Sequence, residues 1–261
     1  MVTYGRPRLL TEDDKFYRAY VASFTLQRKN QKAMRPPRQR ELFGGEAEAA
    51  IRSWLGERLA LDERRILAYE ERRNRRGVLK YRELDALHIA ERAAWVFEIK
   101  ASRTASTLRR AVGQLRETQA ILKLLFPSVR VTIILVDTGI SASVEEVEAL
   151  MAAERPPSRR PELLSEVTAA LPDLRLITSL DEPPDPERID VLRFSVDDVI
   201  AIAGAEQLSL AWEADDEEPE EPAGPRTGSS LYASSGDDEP APGDDDDDTP
   251  LAAALRKAGL R

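Results

Sequence analysis

Apolar residues first recur at helical spacing along this chain and then switch to the alternation of strands. Phe16, Tyr20 and Phe24 stand at i, i+4 and i+8, which predicts a helix from Thr11 to about Gln31 with Thr11 as its N-cap. Pro36-Pro37 breaks that pattern, and Gly44-Gly45 precedes a second predicted helix, Glu46 to about Leu59. Its apolar stripe is made of Ala47, Ile51 and Leu55, flanked by Ala50 and Trp54. Three strand-like runs follow, Arg65–Glu70, Leu79–His88 and Ala94–Lys100, with Asn74–Gly77 as the turn between the first two. A long helix is expected from about Ser106 to Leu125, stopped by Pro127. Val129–Asp137 is the most continuously apolar stretch, as a strand buried on both faces requires.

Taken in order, these elements read αβββαβ: an α/β fold with a mixed sheet flanked by helices. Helices near Val144–Ala153 and Glu162–Leu171, a strand at Leu174–Thr178, and a strand then a helix over Val191–Ala203 are expected to extend the same sheet and helical layer. The pattern divides the chain into an N-terminal helical extension (1–40), one α/β domain (41–212), an acidic linker (213–249) and a short terminal segment (250–261). The linker is rich in Asp, Glu, Pro, Gly and Ser and nearly devoid of apolar residues, so it is expected to be disordered. In the terminal segment Leu251, Leu255 and Ala258 share one helical face, which reads either as a peptide that docks on a protein partner or as a frayed end.

Charge changes this picture more than overall composition does. The net charge of −9 conceals a basic first part: residues 1–110 carry 25 Lys/Arg against 15 Asp/Glu. A polyanion ligand suits that part better than the rest. The chain has no cysteine and one histidine, which excludes disulfides and His/Cys metal sites. No apolar run approaches a membrane span and no signal-peptide core is visible, so a soluble, cytoplasmic protein is expected.

The candidate chemistry lies in two successive strands, Tyr81-Arg82-Glu83-Leu84-Asp85-Ala86-Leu87 and Trp95-Val96-Phe97-Glu98-Ile99-Lys100-Ala101-Ser102. Alternation puts Glu98 and Lys100 on one face while Phe97 and Ile99 enter the core, and it assigns Glu83 and Asp85 a common face as well. Charges on an otherwise apolar strand are costly unless they meet partners or a metal. Asp85 and Glu98, brought together by strand pairing, offer hard oxygen ligands of the kind Mg2+ takes, with the carbonyl of Ile99 as a third. Lys100 beside such an ion is suited to orient or deprotonate a water and to neutralise a scissile phosphate.

Glu-Leu-Asp followed after twelve intervening residues by Glu-Ile-Lys, on two strand patterns, resembles the signature of the PD-(D/E)XK, or restriction-endonuclease-like, nuclease superfamily. The flavour is nearest to Holliday-junction resolvases and related repair or phage-defence nucleases. The resemblance covers about residues 44–137, and Leu84 replaces the Pro of the signature. Glu48-Ala49 followed by Trp54-Leu55 is similar to the family's Glu-bearing helix before the hairpin, and Gln114 to the Gln on the helix after it. The resemblance implies a restriction-endonuclease-like core and Mg2+-dependent hydrolysis of DNA, with Mn2+ able to substitute. It further implies Asp85 and Glu98 as metal ligands, Lys100 as the catalytic lysine, Glu48 as ligand to a second or water-bridged ion, and Gln114 as a residue orienting Lys100 or the phosphate. Homodimers or larger complexes are common among such nucleases. Two other functions remain open: an inactive nuclease-fold subunit that binds nucleic acid or acts as a scaffold, and an RNA-cleaving effector.

Arginine clusters at Arg64-Arg65, at Arg72, Arg73, Arg75 and Arg76, and at Arg109-Arg110 are candidates for phosphate contact, or else solvated charges paired with Glu63, Glu70 and Glu71. His88 reads as a strand-end residue. Tyr4, Phe16, Tyr17, Tyr20 and Phe24 have the chemistry to stack on bases, but their helical spacing favours packing. The acidic linker is either a solubility tail or a competitor with nucleic acid for the basic part.

Overall fold

Among the strands, Ser128–Asp137 (β6) shows most directly how the sequence sets the architecture. Ile133 and Leu135 are fully buried toward one side and Ile134 and Val136 toward the other, so a layer must cover each face. The computed structural model describes residues 2–28, 39–73, 76–102, 105–137, 139–153, 156 and 160–210. All of them lie in one compact unit, Met1–Arg226. The chain runs β1 (Thr3–Leu10), α1 (Lys15–Arg28), α2 (Gln39–Gly56), β2 (Ile66–Arg73), β3 (Arg76–Glu83), β4 (Ala86–Ala90), β5 (Ala93–Ser102), α3 (Ala105–Leu122) and β6. It continues with β7 (Ile140–Ser141), α4 (Val144–Met151), β8 (Glu162–Leu163), α5 (Leu164–Ala169), β9 (Leu174–Ile177), β10 (Ile189–Phe194) and α6 (Val196–Ala203).

The central sheet has the order β4-β5-β6-β10-β9, with β4 antiparallel to β5 and the other pairings parallel. On one face Phe43, Ala47, Ile51 and Leu55 of α2 and Val199 of α6 meet Phe97, Ile99, Ile134, Val136, Leu192 and Phe194. On the other, Leu108, Ala111, Leu115, Ile121 and Leu122 of α3 meet Val96, Val131, Ile133, Leu135 and Val191. This is a mixed sheet flanked by helices, as the order of elements predicts.

A second, antiparallel sheet has the order β1-β2-β3. Leu67 and Tyr69 join the core under α3, while Ile66, Ala68 and Tyr81 are covered by Tyr17 and Tyr20 of α1. The ring centroids of those two tyrosines lie 5.7 and 4.7 Å from that of Tyr81, and Tyr4 meets Tyr69 edge-on at 5.8 Å. Tyr4, Tyr17 and Tyr20 therefore pack. Phe16 is 59% exposed, and the side chain of Phe24 lies outside the described residues.

Four sequence expectations need correction. Residues 1–40 are not a purely helical extension, because Thr3–Leu10 is a strand hydrogen-bonded to β2. The cap of α1 is Asp14, whose carboxylate accepts from the N–H groups of Phe16 and Tyr17, and not Thr11. The second helix begins before Gly44-Gly45 and runs through both, since Phe43 fills the core one turn ahead of Ala47. Finally, Leu79–His88 is two strands: pairing with β2 ends at Glu83↔Ile66, pairing with β5 begins at Ala86↔Phe97, and Leu84-Asp85 carries the chain from one sheet to the other. Glu83 and Asp85 consequently do not share a strand face. The expected acidic linker and terminal segment lie outside the described residues.

Candidate active site

The sheet-switching bend is where the charged residues of the two strands meet. The antiparallel register Ala86↔Phe97, carried one residue back, sets Asp85 opposite Glu98. Asp85 Oδ2 accepts from the backbone N–H of Ile99 at 2.7 Å, so the corner residue is bonded to the strand it faces. Glu98 is 9% exposed, and its Oε1 lies 2.6 Å from Lys100 Nζ. Both occupy the even positions of β5 together with Ala94 and Val96, whereas Phe97 and Ile99 enter the core beneath α2. Glu48, on α2, completes the group: it interacts electrostatically with Lys100, Glu98 and Asp85.

The balance of charge dominates this group. Asp85 keeps part of its surface open, but the protein atoms crowded around its carboxylate remove much of its water. That desolvation, with repulsion from Glu98 and Glu48, pushes its carboxyl well above the usual range against the pull of Lys100 and the Ile99 N–H. Burial likewise pushes Glu48 up, opposed by Lys100 and Arg65. For Lys100 burial works downward, yet Glu98 and Asp85 outweigh it and hold the ammonium above the ordinary lysine range.

Three carboxylates facing one ammonium offer hard oxygen donors and an excess of negative charge, which suits a divalent cation such as Mg2+ chemically. Among the described residues no three His, Cys, Asp or Glu side chains already stand in an arrangement that could hold a metal ion. Asp85 accepts from the Ile99 N–H through Oδ2 and Glu98 meets Lys100 through Oε1, which leaves the second oxygen of each carboxylate as the natural donor to a cation.

The other sequence candidates are distributed differently. Gln114 is half-buried on α3, on the turn that Arg82 clamps to β3; its main-chain carbonyl accepts from Arg82 Nη1 and Thr118 Oγ1, each at 2.9 Å. The main chain of Ile99 lies at the cluster through its bond to Asp85. Arg72 is paired with Glu70 at 3.0 Å, and Arg109 and Arg110 are exposed on α3. The side chains of Arg73, Arg75 and Arg76 lie outside the described residues. Arg64 is exposed and forks onto Asp62, whereas Arg65 is buried and bound to Glu12 and Glu83, which removes it from any phosphate-contacting surface. His88 Nδ1 lies 2.8 Å from the carbonyl of Ala60, and the pleat turns its side chain away from the face of Asp85. Sequence reasoning missed Glu12 altogether, and it missed that Arg65 is buried between Glu12 and Glu83 beside the site. The only signal is an arginine set directly against the apolar run Ile66–Tyr69, where a charge demands buried partners.

The chain matches no protein-family model and no curated protein.

Proposed function

We propose that the chain is a metal-dependent nuclease that hydrolyses DNA phosphodiester bonds at the bend between β3 and β4. The observation that carries this reading is the electrostatic coupling of Glu48, Asp85, Glu98 and Lys100 about the 2.6 Å Glu98–Lys100 pair, with the Asp85 carboxyl held high by burial first and by repulsion from Glu98 and Glu48 second. Asp85 and Glu98 would hold a divalent cation, with Glu48 as a further donor. When bound, such a cation neutralises charge on the scissile phosphate and acidifies water.

The residues of the chain supply the rest. Lys100 is held protonated by its carboxylate neighbours, so it acts as a fixed positive donor toward the charge that grows on phosphate oxygens. The bond from the Ile99 N–H keeps Asp85 on the strand that bears Glu98 and Lys100, which fixes the spacing between the donors and the ammonium.

The test is a cleavage assay on branched, single-stranded and duplex DNA, with RNA in parallel, in Mg2+, Mn2+ or EDTA. Cleavage is expected with either metal and not with EDTA. Lys100→Ala is expected to lower it by at least about 100-fold while DNA binding persists. Binding without cleavage by the native chain counts against the proposal and in favour of a non-catalytic subunit. Cleavage of RNA alone reassigns the substrate.

A further inference from the structure

Arg65 stands beside the carboxylate cluster, and the proposed chemistry does not use it. It immediately precedes β2 and is only 7% exposed. A buried guanidinium persists only where its donors are satisfied and its charge is paired. Here Nε donates to Glu12 Oε1 at 2.5 Å, Nη2 pairs with the same carboxylate, and Nη1 lies 2.5 Å from Glu83 Oε1. Nη1 also reaches the carbonyl of Leu84 at 3.4 Å, and the N–H of Leu84 donates to the carbonyl of Arg65 at 2.8 Å. One residue thus holds both main-chain groups of Leu84, the residue before Asp85.

That grip matters because the one turn-forming residue in the bend, Asp85, directs its side chain across to the Ile99 N–H. Leu84 is a buried apolar residue, and neither glycine nor proline stands between Glu83 and Ala86. The corner is held by contacts from outside the local chain: the core around Leu84, the Ile99 N–H on Asp85, the main-chain carbonyl of Arg65 on the Leu84 N–H, and the Arg65 guanidinium on the Leu84 carbonyl. The charge of Arg65 also acts on Glu48 and Glu83, so the same side chain touches the cluster electrostatically.

We propose that Arg65 is a positioning residue for the cluster: it fixes the bend at Leu84 that aims Asp85 at Glu98, and through Glu12 it makes the connection between β1 and α1 part of the site. The consequence for cation binding rests on the proposed function; the hold on the bend does not.

Two readouts on the full chain test this, using Arg65→Gln, Arg65→Lys and Glu12→Gln. The first is calorimetric titration with Mn2+. Simple electrostatics predicts that removing a positive charge beside Glu48 tightens cation binding, whereas a positioning role predicts the opposite sign. Arg65→Gln is expected to weaken Mn2+ binding by about 10-fold or more, as losses of ligand-orienting groups do. Arg65→Lys should fall between it and the native chain, because one ammonium cannot serve Glu12, Glu83 and Leu84 together, and Glu12→Gln should have a smaller effect.

The second readout is amide hydrogen exchange without metal. Arg65→Gln should lose protection at Leu84 and Ile99 while Ile133 and Ile134 in β6 keep theirs. Unchanged protection at Leu84 and Ile99, or equal loss across β6, overturns the proposal, as does Mn2+ binding as tight as or tighter than native. If Arg65→Gln does not fold, the lysine and Glu12 variants are judged by the same criteria. Absence of Mn2+ binding by the native chain removes the cation-centre reading, and the exchange pattern then decides the role of Arg65.

Discussion

Asp85→Asn perturbs the cluster by removing a charge and little else. The variant keeps an oxygen to accept from the Ile99 N–H, a bond of 2.7 Å in the native chain. Passing from a charge-assisted to a neutral bond costs about 1 kcal/mol. The relief of repulsion is larger. Directly opposed residues of an antiparallel pair hold their side chains about 5 Å apart, and two like charges at about 5 Å repel by about 3 kcal/mol at an effective dielectric of about 20. Burial disfavours the charge of Asp85 most, and of the charged neighbours Glu98 and Glu48 repel it while Lys100 attracts it, so about one such repulsion survives in addition to the desolvation. Without metal, D85N should exceed the native chain in stability by about 2 kcal/mol near pH 7.5, a gain in Tm of about 4–8 °C.

The dependence on pH has a definite sign. Because the carboxyl of Asp85 is raised in the folded state, its contribution to native stability is complete below the ordinary Asp range and is lost as pH climbs through the raised value. D85N has no such loss, so its advantage should vanish toward about pH 4 and widen toward about pH 8. Urea melts followed by circular dichroism, in EDTA across that range, measure the gap. Saturating Mg2+ should then stabilise the native chain and leave D85N unmoved. A D85N protein less stable than native near pH 7.5, or an advantage independent of pH, refutes the reasoning.

Other substitutions separate the framework from the cluster. Asp190 is 1% exposed between Arg130 and Arg175, so Asp190→Asn should cost about 3–5 kcal/mol in urea melts by leaving two enclosed guanidinium groups short of charge. Ser195 and Asp198 form a reciprocal cap at the start of α6, and Ser195→Ala should cost about 1 kcal/mol by the same measurement. Glu46 accepts from the N–H and hydroxyl of Ser209 at 2.5 and 2.8 Å, so Glu46→Ala should destabilise by about 1–3 kcal/mol. Glu48→Gln, two residues along the same helix, should instead stabilise the metal-free chain at neutral pH, because burial disfavours its charge.

The central sheet was legible wherever burial on two faces, or on one, leaves a plain period. The unbroken apolar run of β6 and the helical spacing in α3 are of that kind. The first strand was not legible: residues 1–40 read as a helical extension, and in the folded chain the strand is irregular, with Arg6 at φ 49° where the register with β2 shifts. The bend at Leu84 was hidden because no glycine or proline marks it and alternation falters only at Arg82-Glu83 and Ala86-Leu87; the contacts that turn the chain there come from distant residues, Arg65 and Ile99 among them. For the same reason Asp85, Glu98 and Lys100 could be nominated from spacing, whereas Arg65 passed for one of many surface arginines. The glycines before Glu46 misled in the opposite direction. No neighbouring atom comes within 4 Å of a Cβ added at Gly44 or Gly45, so nothing in their surroundings calls for glycine and the helix simply passes through them.

The clamp between Glu46 and Ser209 spans 163 positions of sequence and ends on the helix that bears Glu48. The smallest segment carrying the chemistry is therefore shorter than the smallest segment able to fold around it. A fragment cut after Asp137 would keep every side chain nominated for the chemistry, yet it would strip β10 from β6 and remove α6 from the face that bears Ile134 and Val136. Anyone trimming this protein for crystals or fusions should keep residues through 210 and look for shortening elsewhere.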